Sequence, residues 1–414
     1  MTSKIHVYIG DNAINPLIDF CRQQNISKLM LVADGNTYAA FGEAVNQQLT
    51  ANGFDVKTSV LSGNEVIANE HYFVQVLLDT DQQIRTYLAV GSGSITDITR
   101  FVSYHTRCNF IAVPTAASVD GFTGAGAPSV IDGFKKTIYC HSPLAVFGDI
   151  DVLSAAPQKM IASGFGDMLG KYTALADWKL GALLWNEPFD AQISQRVEIA
   201  LEKCVNRVDE IGSASPEGIQ ALMDGLIESG LCMLDANNSR PASGAEHQIS
   251  HHLEMKLIWE GRPAVLHGEK VGASTIIVAR LYEQLRQMSR DEMMDQLEAI
   301  SSFPKEKYTL EINAVYPSIA DKVLAEQAAF LNMSDNDFEQ LKQTVANNWA
   351  EIQAIAATVP SPEQLTDYIR RAGGETELTA LGFSDNEITE AATYSHYLRN
   401  RFNVDKLGHL LGIE

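Results

Sequence analysis

Four histidines, His247, His251, His252 and His267, fall within one short stretch of the chain. In Glu246-His247-Gln248-Ile249-Ser250-His251-His252, the first and second histidines stand at i and i+4. They share one face of a helix, while His252 points about a quarter-turn away. His267 stands in Leu266-His267-Gly268-Glu269-Lys270, just before another helix. Imidazoles from two adjacent helices that converge on one point are how a helical domain builds a site for a divalent metal. Asp167, in Gly164-Phe165-Gly166-Asp167-Met168-Leu169-Gly170-Lys171, is placed near the start of a helix and would add a carboxylate. One carboxylate and two imidazoles leave coordination positions at which an alcohol or carbonyl oxygen is polarised. The plainer alternatives are packed core histidines and a carboxylate that complements a helix dipole.

Two further motifs could hold a ligand. Gly91-Ser92-Gly93-Ser94-Ile95-Thr96-Asp97 follows the apolar run Tyr87–Val90 and opens a helix. Glycines there let a phosphate approach the backbone, and the helix N-terminus offers N–H groups and a positive dipole end. The pattern is G-x-G-x-x-x-D rather than the dinucleotide fingerprint G-x-G-x-x-G, and a plain strand-to-helix turn is the alternative. Pro114-Thr115-Ala116-Ala117-Ser118-Val119-Asp120-Gly121-Phe122-Thr123-Gly124 follows the next apolar run. Its hydroxyls, acid and glycines at the carboxyl end of a strand fit a ligand crevice, with an ordinary polar loop as the alternative.

These motifs need elements to carry them. Short apolar runs at Lys28–Ala33, Phe54–Leu61, Tyr87–Val90 and Phe110–Val113 read as strands, with a helical stretch near Ala39–Asn52. Strand, glycine turn, helix, strand is the pattern of a parallel α/β sheet. Beyond about residue 155 the pattern turns helical, over Pro157–Trp185, Phe189–Gly212, Ile219–Asp235, Gly244–Glu260, Gly272–Ser289 and several segments past 317. Capping boxes at Ser361–Gln364 and Ser384–Glu387 mark two helix starts. The expected organisation is a Rossmann-like α/β domain over 1–155 and an all-α domain over 156–414, two domains rather than three.

The chain has 414 residues, with 31 Lys plus Arg against 52 Asp plus Glu and a formal net charge of −21. Such an excess argues against a general nucleic-acid binder and against docking on an anionic membrane. It leaves room for a small anionic substrate, which needs only a local positive site. Arg240 and Lys270 flank the histidine motifs and could supply one; surface ion pairs are the alternative. The five cysteines, Cys21, Cys108, Cys140, Cys204 and Cys232, are odd in number and lack C-x-x-C spacing, as expected of reduced thiols in a cytoplasmic protein. Neither a signal peptide nor a membrane span is expected.

The G-x-G-x-x-x-D turn, the Pro-Thr-x-x-Ser loop, the Gly-x-Asp segment and His-Gly-Glu-Lys, in this order, resemble the superfamily of iron-containing alcohol dehydrogenases, glycerol dehydrogenases and dehydroquinate synthases. Within it, Thr115–Gly121 and Ser239-Arg240-Pro241-Ala242-Ser243-Gly244-Ala245-Glu246-His247 resemble the sn-glycerol-1-phosphate dehydrogenases. The resemblance covers residues 1–290 well, and the rest matches in being helical. It implies a dehydroquinate synthase-like fold with the active site in the interdomain cleft. It also implies NAD(P)-linked interconversion of sn-glycerol 1-phosphate and dihydroxyacetone phosphate, a step of phospholipid synthesis, in a cytoplasmic homodimer. By position, Asp167, His247 and His267 would ligate one divalent metal, and Asp120 and His251 would contact substrate, His251 as a proton relay. Gly91, Ser92, Gly93, Ser94, Ile95, Thr115, Ser118 and Gly124 would line the cofactor site. Asp34, after the second strand, would accept from the adenosine ribose and so favour NAD(H) over NADP(H). Serines beside Gly93 resemble the bacterial branch, associated with nickel, more than the archaeal zinc enzymes; Gly124 lacks the hydroxyl that archaeal members carry there. The rival readings are a glycerol dehydrogenase acting on unphosphorylated polyols, a dehydroquinate synthase-like cyclase, and a non-catalytic metal- or nucleotide-binding protein on the same scaffold.

Overall fold

The computed structural model describes residues 5–63, 65–132 and 134–413. Its strands are β1 (His6–Gly10), β2 (Lys28–Asp34), β3 (Asp55–Leu61), β4 (Thr86–Gly91), β5 (Phe110–Pro114), β6 (Gly126–Ile131), β7 (Phe134–Tyr139) and β8 (Ala145–Asp149). Six form one sheet in the order β1-β8-β5-β4-β2-β3, every neighbouring pair parallel. β6 and β7 make a separate antiparallel hairpin. Central β4, β5 and β8 bury nearly every residue, because a parallel sheet covered on both faces excludes water from both. That is why their sequences read as unbroken apolar runs.

The helices of this part are α1 (Ile14–Gln23), α2 (Gly35–Thr37), α3 (Glu43–Ala51), α4 (Glu70–Asp79), α5 (Gly93–His105) and α6 (Ile150–Ser154). One face of the sheet, through Leu29, Leu31, Leu88, Val90, Ile111, Val113 and Phe147, joins Leu17, Cys21, Val45 and Leu49 of α1 and α3 in a continuous buried cluster. Each such side chain contributes about 1.5–3 kcal/mol on leaving water. The sheet order reverses between β2 and β4: β3 lies outward of β2, and β5 and β8 lie beyond β4. The carboxyl ends of β2 and β4 therefore flank the switch point at which open α/β sheets bind ligands.

After β8 come α7 (Gln158–Leu169), α8 (Lys171–Trp185), α9 (Ala191–Val205), α10 (Val208–Gly212), α11 (Pro216–Ala236), α12 (Ala245–Glu260) and α13 (His267–Gln287). Further helices follow, ending with Val404–Leu411. The chain divides into two compact units. The first comprises Met1–Met168, Glu202–Asn237 and Arg371–Gly374, and the second Leu169–Leu201, Asn238–Arg370 and Glu375–Glu414. This division is discontinuous, whereas the change of sequence pattern near residue 155 follows the change in element type: every strand ends by Asp149.

Several sequence expectations need adjustment. The strands β1 and β8 and the hairpin are not among the expected strands; β1 is only partly buried, the hairpin mixes polar and apolar residues, and the apolar run of β8 is only three residues long before Gly148-Asp149. The helical stretch after residue 38 opens with a π-helical turn, Tyr38–Gly42, before α3. Asp167 lies in the last turn of α7 rather than near a helix start, so a dipole-complementing role does not apply to it. α13 begins at His267, five residues before the expected Gly272. The cap at Ser361 and the full capping box at Ser384 are both present. None of the five cysteines is in a disulfide. Among the described residues, no helix is long and apolar enough to cross a membrane.

Candidate metal centre and cofactor turn

At the end of β4 the chain turns directly into α5. A Cβ on Gly91 would sit 2.6 Å from the Cβ of Ile95, and one on Gly93 would sit 3.2 Å from Val119. Both positions admit only glycine without local movement. Ser92 is the N-cap residue of α5, yet its side chain makes no capping bond. Its hydroxyl instead meets the Ser118 hydroxyl at 2.5 Å, which ties the β4 turn to the β5 loop. The first N–H groups of a 13-residue helix are thus left without a side-chain cap at the switch point, the arrangement that receives phosphate groups. Asp34 ends β2, where Oδ1 accepts from the N–H groups of Asn36 and Thr37 at 2.8 and 2.9 Å. The cap occupies that oxygen, and Oδ2 takes no part in it.

The loop after β5 is held from beneath by Arg100, which is fully buried. Its guanidinium donates to the carbonyls of Gly121 at 2.6 Å, Phe122 at 3.2 Å and Gly126 at 2.9 Å. It pairs with Asp97, the acid that closes the G-x-G-x-x-x-D motif, at 2.6 Å. Burial pulls the Arg100 pKa down against the opposing pull of the Asp97 charge. Two glycines bring helices onto this loop. A Cβ on Gly164 of α7 would lie 1.9 Å from the Ala117 carbonyl oxygen, and one on Gly230 of α11 would lie 2.6 Å from that of Asp120. Asp120 is fixed at both ends. Its N–H donates to Asp167 Oδ2 at 3.0 Å, and its Oδ2 accepts from the Ser229 hydroxyl at 2.8 Å. Thr115 and Ser118 are buried in the same loop, and a Cβ on Gly124 would find only the Gly121 carbonyl, at 3.8 Å. Sequence reasoning missed Arg100 and Ser229; the Asp97–Arg100 spacing of three on a helix start was the available signal.

α12 and α13 carry the histidines. Ring centroids of His247 and His267 are 5.2 Å apart, and His251 lies 6.1 and 5.9 Å from the two. Asp167, His247 and His267 each offer a ligand atom, and the three atoms lie within 4.8 Å of one another. Two imidazole nitrogens and one carboxylate oxygen suit zinc, nickel or ferrous iron rather than calcium or magnesium. His247 Nδ1 is bonded to Glu246 Oε1 at 2.6 Å, so Nε2 is the nitrogen that a metal would take. The donor set therefore fits a divalent transition metal. Glu246 also accepts from the Gly244 N–H at 2.7 Å and the Thr173 hydroxyl at 2.6 Å. Burial alone would raise its carboxyl, but these bonds and the His247 contact outweigh it and hold the group below its usual value.

The remaining expected residues are differently placed. His252 is committed elsewhere, with Nδ1 at 2.8 Å from the Tyr316 hydroxyl and Nε2 at 3.2 Å from Glu390, and burial keeps its pKa down. Arg240 lines a small cavity with Asp177, Glu187, Ser243, Gly244 and Arg401, and its Nε is paired with Glu187 at 2.6 Å. Lys270 is fully buried, donates to the Val265 carbonyl at 3.0 Å and lies 3.8 Å from Glu254. Arg240 keeps partial access while paired with Glu187, whereas Lys270 is enclosed at the start of α13.

A family model described as "Iron-containing alcohol dehydrogenase" matches residues 8–157. A glycerol-1-phosphate dehydrogenase (NAD(P)+) of Halalkalibacterium halodurans is 43% identical over 396 residues, 95% of this chain and 89% of the relative. The chain belongs to the glycerol-1-phosphate dehydrogenase family. A Pyrococcus furiosus relative of the same name is 34% identical over 277 residues, 67% of this chain and 78% of its own. The likeness to bacterial glycerol-1-phosphate dehydrogenases thus extends well past residue 290, farther than the motifs alone indicated. Among solved structures, an iron-containing alcohol dehydrogenase of Corynebacterium glutamicum superposes with a TM-score of 0.61 at 17% identity, covering 100% of this chain and 95% of that one. This likeness establishes the dehydroquinate synthase-like fold, with a parallel-sheet N-terminal part and a helical remainder.

Proposed function

We propose that this chain is a metal-dependent, NAD(P)-linked dehydrogenase that interconverts sn-glycerol 1-phosphate and dihydroxyacetone phosphate. The observation that carries this reading is the convergence of Asp167, His247 and His267 within 4.8 Å, together with the Asp120 N–H bonded to Asp167. Residues 1–155 act as the dinucleotide-binding part and 156–414 as the metal- and substrate-binding part. When bound, the divalent ion supplies Lewis acidity to the substrate oxygen and the nicotinamide supplies the hydride.

The chain's own residues position these partners. The α5 N-terminus after Gly91, with Ser92, Gly93, Ser94 and Ile95, receives the cofactor pyrophosphate, while Thr115, Ser118 and the open backbone at Gly124 line the same site. Asp34 Oδ2 takes a ribose hydroxyl and disfavours a 2′-phosphate, so NAD(H) is the preferred cofactor. Asp120, held in place by Ser229 and by its N–H bond to Asp167, anchors the substrate's terminal hydroxyl. His251, beside the two ligand histidines, relays the alcohol proton. Arg240 meets the phosphate and gives up part of its pairing with Glu187 to do so; Lys270 supports the start of α13. The serine-bearing turn resembles the bacterial branch, which is associated with nickel, and nickel is the ion proposed over zinc. The working state is a cytoplasmic homodimer in phospholipid metabolism.

The test is NADH oxidation with dihydroxyacetone phosphate by protein stripped of metal and reloaded with nickel, zinc or iron. Restored turnover and a product of the 1-phosphate configuration are expected. Metal-independent turnover, or a 3-phosphate product, would defeat the reading.

A further inference from the structure

His247 needs more than its place on α12 to act as a ligand. An imidazole in its neutral form presents one protonated and one bare nitrogen, and the partner of the first decides which nitrogen reaches a metal. Here that partner is Glu246, the next residue along, and both side chains are buried. Adjacent residues on a helix point about 100° apart, so this bond is not imposed by helix geometry. It exists because Gly244 precedes them. The N–H of Gly244 donates to Glu246 Oε1, and a Cβ there would lie 2.8 Å from Glu246 Oε2 and 2.5 Å from Asp177 Oδ2.

A second layer fixes the loop that presents Glu246. Asp177 of α8 accepts from the Ala245 N–H at 2.7 Å, the Tyr282 hydroxyl at 2.6 Å and the Val404 N–H at 2.8 Å. Arg401 donates to the Ser243 carbonyl at 2.6 Å and to the Ser239 hydroxyl at 2.8 Å. Glu187 accepts from the Phe402 N–H at 2.9 Å while it pairs with Arg240. Residues 401–404, far along the chain, thus brace the segment Ser239–Ala245 through side-chain bonds. Buried Glu246 receives the His247, Gly244 and Thr173 donors on this braced frame.

We infer that Glu246 is a positioning residue for the metal: it holds the Nδ1 proton of His247 and so directs Nε2 to the ion, on a loop braced by residues 401–404. The inference rests on the metal reading above. Asp177 provides the comparison, since it grips the same first turn of α12 through Ala245 without touching His247. A merely structural contribution from Glu246 would be shared by Asp177; a contribution through the imidazole would not.

The experiment is titration of metal-stripped protein with nickel, and separately with zinc, against a chromophoric chelator, on wild type, Glu246→Gln and Asp177→Asn, with circular dichroism on each. Glu246→Gln keeps the shape but loses the charge that gathers three donors. It is expected to weaken metal affinity by about 10–100-fold, with Asp177→Asn within about threefold of wild type and Glu246→Asp recovering part of the loss. Glu246→Gln within threefold of wild type, or equal weakening in both variants, would overturn the inference. Failure of the wild type to bind either metal would overturn the metal reading itself.

Discussion

The turn after β4 and the start of α12 solve different problems with different materials. The turn offers backbone: helix N–H groups without a side-chain cap, reached past glycines whose missing Cβ atoms make room. The α12 start offers side chains, each held by another buried polar group: His247 by Glu246, Glu246 by Thr173 and Gly244, and Ala245 by Asp177. A backbone site depends on what is absent, and a side-chain site depends on a stack of partners that must all be present. Mutations should therefore break the first by adding volume and the second by removing a single acceptor or ligand.

The largest effect is expected from His267→Ala. It removes one of the three proposed ligands and should lower kcat/KM by on the order of 10³-fold or more, with metal content lost by elemental analysis and the fold kept. NADH affinity should stay near wild type, because the turn is built separately; its loss would break the contrast. Asp120→Ala should cost about 10²-fold in turnover while metal content is retained; unchanged steady-state constants would remove Asp120 from the substrate site. Gly91→Ala places a methyl against Ile95 and should raise the NADH dissociation constant about tenfold, worth about 1.4 kcal/mol, with metal affinity unaltered. A parallel loss of metal would mean that the two regions are not independent.

The smallest effect concerns pH. Burial and the neighbouring Glu246 charge push the Asp177 carboxyl up from 3.8 to about 7. Between those values the folded protein holds a proton that the unfolded chain has released, so this group's contribution to stability is full at low pH and fades as pH rises toward 7. Asp177→Asn should flatten that part of the stability profile measured by denaturant titration at several pH values. An unchanged slope would show that Asp177 is ionised throughout.

The same contrast governs what the sequence revealed. The glycine turn and the His247, His251 and His267 spacing were legible because each is a local pattern with a period or a fixed offset. The residues that complete them were not. Arg100 reaches carbonyls more than twenty residues away, Ser229 reaches Asp120 from α11, and Val404 reaches Asp177 across most of the chain. Such pairings are products of tertiary folding, and no window of sequence contains both partners. Asp167 shows the reverse: its motif marks it as a candidate ligand, while its place in the helix differs from the expected start, since α7 begins nine residues earlier at Gln158 and Asp167 falls in its final turn. Lys270 is expected from its place beside His267 to offer a local positive charge; because α13 starts at His267, its side chain is buried, and that burial is not readable from the motif.

The most direct test compares two acceptors in one assay. Metal-loaded protein is given NADH with dihydroxyacetone phosphate and then with dihydroxyacetone at equal concentration, and initial rates of NADH oxidation are recorded. The account predicts a strong preference for the phosphorylated ketone, at least about 10²-fold in kcat/KM, equivalent to roughly 2.7 kcal/mol of binding to the phosphate. Equal rates with the two acceptors would contradict it.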